Sequence, residues 1–333
     1  MIRAIAPGRV NLIGDHTDYT GGLVLPMAID RATVVECSQH DGGIELDSRE
    51  VGGHVSLTLP AATDRTDGPE WGRYVAAVAS LVRPVTGIAG SVSTDIPVGG
   101  GLSSSAALEI AIALALGADP DPIALAELCR RAENIATGVP TGIMDQLCIA
   151  SARPGHATLI DCSDLAVQHV PVPDEIGFVV RFVAHRTLEG SAYADRVAEC
   201  MRAESEIGPL RTASPDDVER IADPTVRARA RHVVAENDRV REFARSLSTG
   251  NWVGAGDAMV RSHRSLAGDY AVSTEAMDRA VESTLAIPGV FGARMTGGGF
   301  GGCIVAMCVP GAEVPGWKVV PSGGATVSGL DGR

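Results

Sequence analysis

The stretch from Pro97 to Ala107, Pro-Val-Gly-Gly-Gly-Leu-Ser-Ser-Ser-Ala-Ala, does most to limit what this chain can become. Three glycines and three hydroxyls run directly into Leu108 to Leu116, a block of helix formers that contains Glu109. That is how a loop opening onto a helix N-terminus is written. Glycine lets a backbone come close to an anion, first-turn N–H groups lack partners within the helix, and the macrodipole favours negative charge there. A phosphate-holding loop follows from this reading. A glycine-rich turn capped by serine fits the same residues, and the motif alone does not separate the two.

Charge narrows the choice. With 28 basic against 41 acidic residues, the formal charge is −13, which argues against nucleic acid or an anionic membrane as partner. An anionic ligand therefore needs a local positive site. Lys318 is the one lysine, so there is no Gly-Lys-Ser/Thr P-loop, and a phosphate held at Pro97 to Ala107 belongs to another binding class. The seven cysteines, Cys37, Cys129, Cys148, Cys162, Cys200, Cys303 and Cys308, contain no C-x-x-C pair. They favour neither a disulfide framework nor a zinc site, and a reducing, cytoplasmic compartment is expected. Arg3, Arg9 and Asp15 rule out a signal-peptide pattern at the start. The most apolar run, Ala106 to Leu116, is well short of the roughly 20 residues of a membrane span. A length of 333 residues predicts two domains.

Along the chain, Ile2 to Ala6 and Leu23 to Ile29 read as strands, and Ala32 to Cys37 is expected to pair with Ile44 to Leu46 across Asp41-Gly42-Gly43. Gly8 to Gly22 reads as a polar loop whose Arg9, Asn11, Asp15, His16 and Asp18 suit a polyol, or equally a solvated surface with capping aspartates. Trp71 to Val82 has helical spacing, with Tyr74 on its core face. Ile88 to Thr94 is a strand. Asp121 and Pro122 start a helix running to about Ala136. Glu133, near its C-terminal end, opposes the dipole, which fits either a cation ligand or a solvated glutamate. After the break at Gly138 to Gly142, Ile143 to Ala150 forms a helix with Asp145 in its first turn, a position where an aspartate complements the dipole.

Strands are expected at His156 to Asp161 and Ile176 to Val183. Helices follow between Tyr193 and Leu247, with arginines on the outer face, then at Trp252 to His263 and at Thr274 to Leu285. Arg294 to Gly302 is a glycine-dense turn ahead of the strand Cys303 to Val309, a density that suggests close backbone approach. Ser322 to Arg333 reads as loose.

Four of these segments, Gly8 to Gly22, Pro97 to Ala107, Gly138 to Gln146 and Arg294 to Cys303, occur in an order and at separations that closely resemble the galactokinases of the GHMP small-molecule kinases. Ser262-His263-Arg264-Ser265-Leu266 and Asp269-Tyr270 extend the resemblance over nearly the whole length. It implies an α+β GHMP kinase fold: a ribosomal S5 domain 2-like N-terminal domain (1–172) with the phosphate loop, a ferredoxin-like C-terminal domain (173–333), and the active site in the cleft between them. The final strand is allowed to return to the first domain.

The activity implied is ATP-dependent phosphorylation of the anomeric hydroxyl of galactose or a galactose-like sugar. Asp145 is then the catalytic carboxylate and Arg9 the cation beside it. Asp15, His16, Asp18, Gly142 and Tyr193 meet the sugar. Pro97, Gly99, Gly100, Gly101, Leu102, Ser103, Ser104, Ser105 and Ala106 wrap the ATP phosphates, and Trp71 and Tyr74 lie near the adenine. Magnesium sits between Ser104 or Ser105 and Glu133. A monomer binding only small molecules is expected.

Two departures bear on the sugar. Asp15 stands where most galactokinases have glutamate, and Val183-Ala184-His185-Arg186 stands where they usually carry an asparagine-containing strand end. A shorter carboxylate requires a shifted backbone, a bridging water or a different sugar, such as arabinose, galacturonate or N-acetylgalactosamine. A non-catalytic sugar and ATP sensor is the reading from outside the enzymes; the whole Ser103-Ser104-Ser105-Ala106 run and Asp145 speak against it. A mevalonate- or homoserine-type kinase suits the polar Gly14 to Asp18 cluster poorly.

Overall fold

The computed structural model describes residues 1–62, 68–185 and 191–329. β1 (Ile2–Ile13) runs straight through the first half of the segment expected as a polar loop. Arg9, Val10, Asn11, Leu12 and Ile13 are all buried. With both strand faces covered, the polar and apolar alternation that marks an exposed strand is lost. The two strands expected next are one, β2 (Leu23–His40).

β2 does not form the expected hairpin with β3 (Ile44–Ser48). β3 pairs antiparallel with β4 (His54–Leu57) and parallel with β5 (Gly87–Thr94), which lies between β2 and β3. The reason is steric: a Cβ on Gly87 would stand 1.8 Å from the Gly43 carbonyl oxygen. Bare glycine backbone lets β5 enter where a side chain would block it.

Helix α1 (Gly72–Val82) begins after Trp71, and α2 (Ser104–Ala115) follows the glycine-serine loop, as expected. Every residue of α2 from Ala106 to Ala115 is buried. Each leucine or isoleucine there contributes on the order of 1.5–3 kcal/mol by leaving water, so this helix is anchored firmly enough to present its N-terminus. α3 (Pro122–Thr137) starts at Asp121, whose side chain accepts from Ala124 N–H at 2.9 Å. α4 (Met144–Ser151) places Asp145 in its first turn. β6 (His156–Asp161) pairs with β2 and with β7 (Ala166–Pro171), a strand the sequence reading missed.

The second sheet is antiparallel. Its members are β8 (Gly177–Ala184), β9 (Val290–Thr296), β10 (Gly302–Cys308) and β11 (Trp317–Val319), in the order β11-β8-β10-β9. Its helices are α5 (Ser191–Ile207), α6 (Pro215–Val218), α7 (Pro224–Thr249), α8 (Trp252–Gly268) and α9 (Glu275–Leu285). The arginines of α7 are not all outward as expected: Arg229 and Arg239 are buried beside acidic partners. Nor is the tail loose throughout, because β12 (Thr326–Ser328) pairs with β1 and gives the first sheet the order β12-β1-β2-β5-β3-β4. Among the described residues no helix is long and apolar enough to cross a membrane.

Candidate active site

Arg9 and Asp145 come from β1 and α4 and meet at the phosphate loop. Arg9 Nε and Nη2 donate to Asp145 Oδ1 and Oδ2 at 2.6 and 2.5 Å, and Nη1 donates to the Gly101 carbonyl at 2.7 Å. The fork of a guanidinium matches a carboxylate in just this way. Burial works against the charge of Arg9, yet Asp145 beside it holds the guanidinium above its ordinary range. One side chain thus ties the carboxylate to the loop.

Ser103 bears on whether that loop is a serine-capped turn. It sits at the helix start with φ 60° and ψ 45°, a left-handed conformation that costs a non-glycine residue about 1–3 kcal/mol. No side chain caps α2; the Ser103 hydroxyl donates to Asp145 Oδ2 instead. The serine-capped turn is therefore overturned, and the first-turn N–H groups of α2 keep their capacity for an anion.

Glu133 is not the solvated glutamate that its place in α3 allowed. Ser105 Oγ donates to its Oε1 at 3.0 Å, while Thr141 Oγ1 and Gln146 Nε2 donate to its Oε2 at 3.1 and 2.9 Å. Burial and the charge of Asp145 raise its carboxyl above the usual range, and these three donors draw it back. A hydroxyl and a carboxylate oxygen at the mouth of a phosphate loop form a hard, oxygen-only pair. That suits magnesium, which uses few protein ligands alongside water and phosphate.

At the other end lie Asp15, His16, Asp18, Gly142 and Tyr193. His16 Nδ1 and Tyr19 Oη are 2.9 Å apart, and the His16 ring packs against Tyr193 and Tyr270 at 5.6 and 4.7 Å between centroids. Asp18 packs so tightly on Gly142 that a Cβ there would fall 1.8 Å from its Oδ2. Burial, then the charges of Asp145 and Asp15, push the Asp18 carboxyl up to about 7. Asp15 is buried, with Oδ2 2.5 Å from Arg294 Nη2 and Oδ1 accepting from Gly297 N–H at 2.9 Å. Burial raises its carboxyl and Arg294 pulls it back down.

These groups share one cleft of about 840 Å³, which also takes in Trp71, Tyr74, Gly99, Gly101, Ser103, Ser104, Ser105, Glu133 and the glycines from Gly297 to Gly299. Pro97, Gly100, Leu102 and Ala106 are not on its wall. Leu102 and Ala106 are core residues, and Pro97 accepts from Gly100 N–H at 3.2 Å to close the turn. Sequence reasoning missed Arg294, Glu236 and Gln146. The cue for the last was its place directly after Asp145. For Arg294 no local cue exists, because its partner Asp15 lies far away in the chain, and the pairing of Glu236 with nearby Arg239 does not reveal its contacts with Gly14 and Arg294. Phe182 and His185 meet edge to face, ring centroids 5.0 Å apart, where β8 ends; Arg186, the last residue of the second departure, lies outside the described residues.

Known proteins resemble this chain over most of its length. The family described as the galactokinase galactose-binding signature matches residues 2–39, the GHMP kinase N-terminal domain matches 73–153, and the GHMP kinase C-terminal domain matches 242–314. Galactokinase from Homo sapiens is 40% identical over 322 residues, covering 91% of this chain and 82% of that one. Galactokinase from Chloroflexus aurantiacus is 41% identical over 325 residues, covering 91% and 83%. The structure of Lactococcus lactis galactokinase complexed with galactose superposes with a TM-score of 0.88 at 29% identity, covering 98% of this chain and 95% of that one. A mevalonate kinase, at TM-score 0.68 and 20% identity, shares the fold. The chain therefore belongs to the galactokinase family within the GHMP kinases, and is a kinase that transfers phosphate to a sugar hydroxyl.

Proposed function

We propose that this protein transfers the γ-phosphoryl group of ATP to the anomeric hydroxyl of galactose, giving the sugar 1-phosphate and ADP. The observation that carries this is the convergence of Arg9, Asp145 and Ser103 at the N-terminus of α2, with a polar, aromatic-walled pocket beside it. ATP phosphates lie along Gly99, Gly101, Ser103, Ser104 and Ser105, held by backbone N–H groups, and the adenine lies toward Trp71 and Tyr74.

Asp145 accepts the proton of the attacking hydroxyl, and Arg9 stabilises the charge spread over the transferring phosphoryl group. The Ser103 hydroxyl and the fork of Arg9 hold that carboxylate in one orientation. Ser105, or Ser104, together with Glu133 holds magnesium, which neutralises phosphate charge when bound. His16, Asp18, Gly142 and Tyr193 meet the sugar hydroxyls, with Asp15 behind them. Residues 1–172 and 173–333 form the two domains, residues 326–328 returning to the first, and the chain acts in the cytoplasm as a monomer.

Asp145→Ala tests the chemistry: turnover should fall by about 10²–10⁴, while calorimetry finds galactose and nucleotide still bound. Undiminished turnover would remove Asp145 from the reaction. Asp15 favours a second reading, a kinase for a related sugar; a coupled assay across galactose, arabinose, galacturonate and N-acetylgalactosamine decides it, since galactose should give the highest kcat/KM.

A further inference from the structure

Glu109 is an acid in the middle of a helix built as core, with none of its surface exposed, and the reaction described above does not use it. Its Oε2 accepts from Gln146 Nε2 at 3.2 Å, and the same nitrogen donates to Glu133 Oε2 at 2.9 Å. A primary amide nitrogen carries two hydrogens, so one Gln146 head group, itself fully buried, serves carboxyl groups on two other helices. Among the described residues Glu109 Oε1 and Gln146 Oε1 have no hydrogen-bond partner. Each buried orphan acceptor costs on the order of 1–3 kcal/mol. Apolar residues at 109 and 146 would fill this space at lower cost. What the polar pair supplies, and packing does not, is a set direction for the Glu133 carboxylate.

We propose that Gln146, anchored by Glu109, is a positioning residue that fixes the Glu133 carboxylate for the divalent cation of the nucleotide. The inference rests on reading Glu133 as a cation residue. Ser105 and Thr141 hold the carboxylate from the cleft side, and Gln146 completes the grip from the core side, where α2, α3 and α4 meet. Partners behind a ligating carboxylate typically change metal affinity 10–100-fold (order of magnitude).

The test uses Mn²⁺ as probe, followed by the electron paramagnetic resonance signal of the free ion as full-length enzyme is titrated with a non-hydrolysable ATP analogue present. Gln146→Met should weaken Mn²⁺ binding about tenfold or more, leaving galactose affinity and analogue affinity in EDTA at wild-type values. Glu109→Met should do the same, and Glu109→Gln, whose amide can both accept from and donate to Gln146, should restore binding. Unchanged Mn²⁺ affinity in Gln146→Met, alongside loss in Glu133→Gln, overturns the proposal. Unchanged affinity in Glu133→Gln overturns the cation reading of Glu133 instead. If Gln146→Met does not melt as a folded protein, the Glu109 pair decides: equal Mn²⁺ affinity in Glu109→Met and Glu109→Gln is then the overturning result.

Discussion

The guanidinium of Arg294 lies 2.5 Å from the Asp15 carboxylate with both side chains shut away from water. It joins β9 of the second sheet to the segment that follows β1. Glu236 on α7 extends this link: it stands 4.0 Å from Arg294, accepts from Gly14 N–H at 3.0 Å and pairs with Arg239 at 2.6 Å. Asp15 is therefore occupied as a strut between the two halves, and its shorter side chain is drawn toward Arg294 and Gly297.

Asp15→Asn should accordingly be felt in stability. Removing one partner of a buried pair costs about 3–5 kcal/mol because the other charge is left uncompensated. Urea unfolding should show a loss of roughly that size, whereas Arg3→Met, which breaks the exposed Arg3–Glu36 pair, should cost less than about 1 kcal/mol. Equal effects from the two would mean that the buried pair carries no special weight.

A methyl group at position 142 should act on the sugar and not on the nucleotide. The added carbon would stand 1.8 Å from Asp18 Oδ2 and 2.8 Å from its Cβ, so Gly142→Ala must turn the Asp18 carboxylate aside. Since that carboxylate is the movable end of a side chain, the fold should survive. We expect the galactose KM to rise about tenfold, as for one lost charged hydrogen bond, with the ATP KM unchanged. A rise in both would locate the damage elsewhere.

Asp18 also sets a pH dependence whose sign follows from its raised carboxyl. The folded value is about 7 against an unfolded value near 3.8, so folding favours the protonated form between them. Its contribution to stability is full below about pH 3.8 and falls away as pH rises to about 7. Asp18→Asn should therefore gain on the wild type in melting temperature as pH rises from 5 to 8, by rough expectation over that window. The acceptor charge appears over the same range, so galactose affinity should climb with pH in the wild type and stay flat in Asp18→Asn. A wild-type affinity that is level across pH 6 to 8, again in round figures, would remove Asp18 from sugar recognition.

Much of the site was legible because its chemistry is local. The glycine-serine loop, the first-turn Asp145 and the cap at Asp121 are set by neighbours in the chain, and each lies where the residues pointed. The errors share a cause. β1 looked like a loop after Ala6 because two polar side chains break the strand pattern: Arg9, whose partner Asp145 comes from elsewhere in the chain, and Asn11, which is buried. The β2–β3 hairpin failed because Asp41-Gly42-Gly43 specifies only that the chain reverses; the neighbour that β3 takes, β5, arrives much later. Arg239 looked like an outward arginine because helical periodicity cannot show that Glu236 is buried beside it. Local rules yield where distant charges meet.

The pairing of β12 with β1 has a consequence for how the protein is made. Arg3 lies opposite Ser328 and Ile5 opposite Thr326, so the sheet that β1 opens is bordered by a strand translated only after the whole second sheet. While the ribosome is still threading out the second half, the outer edge of β1 stays open, and the strand that bears Arg9 waits for its border. The glycine-serine loop and α2 can assemble earlier, but the sheet behind them is sealed only once residues 326–328 have emerged.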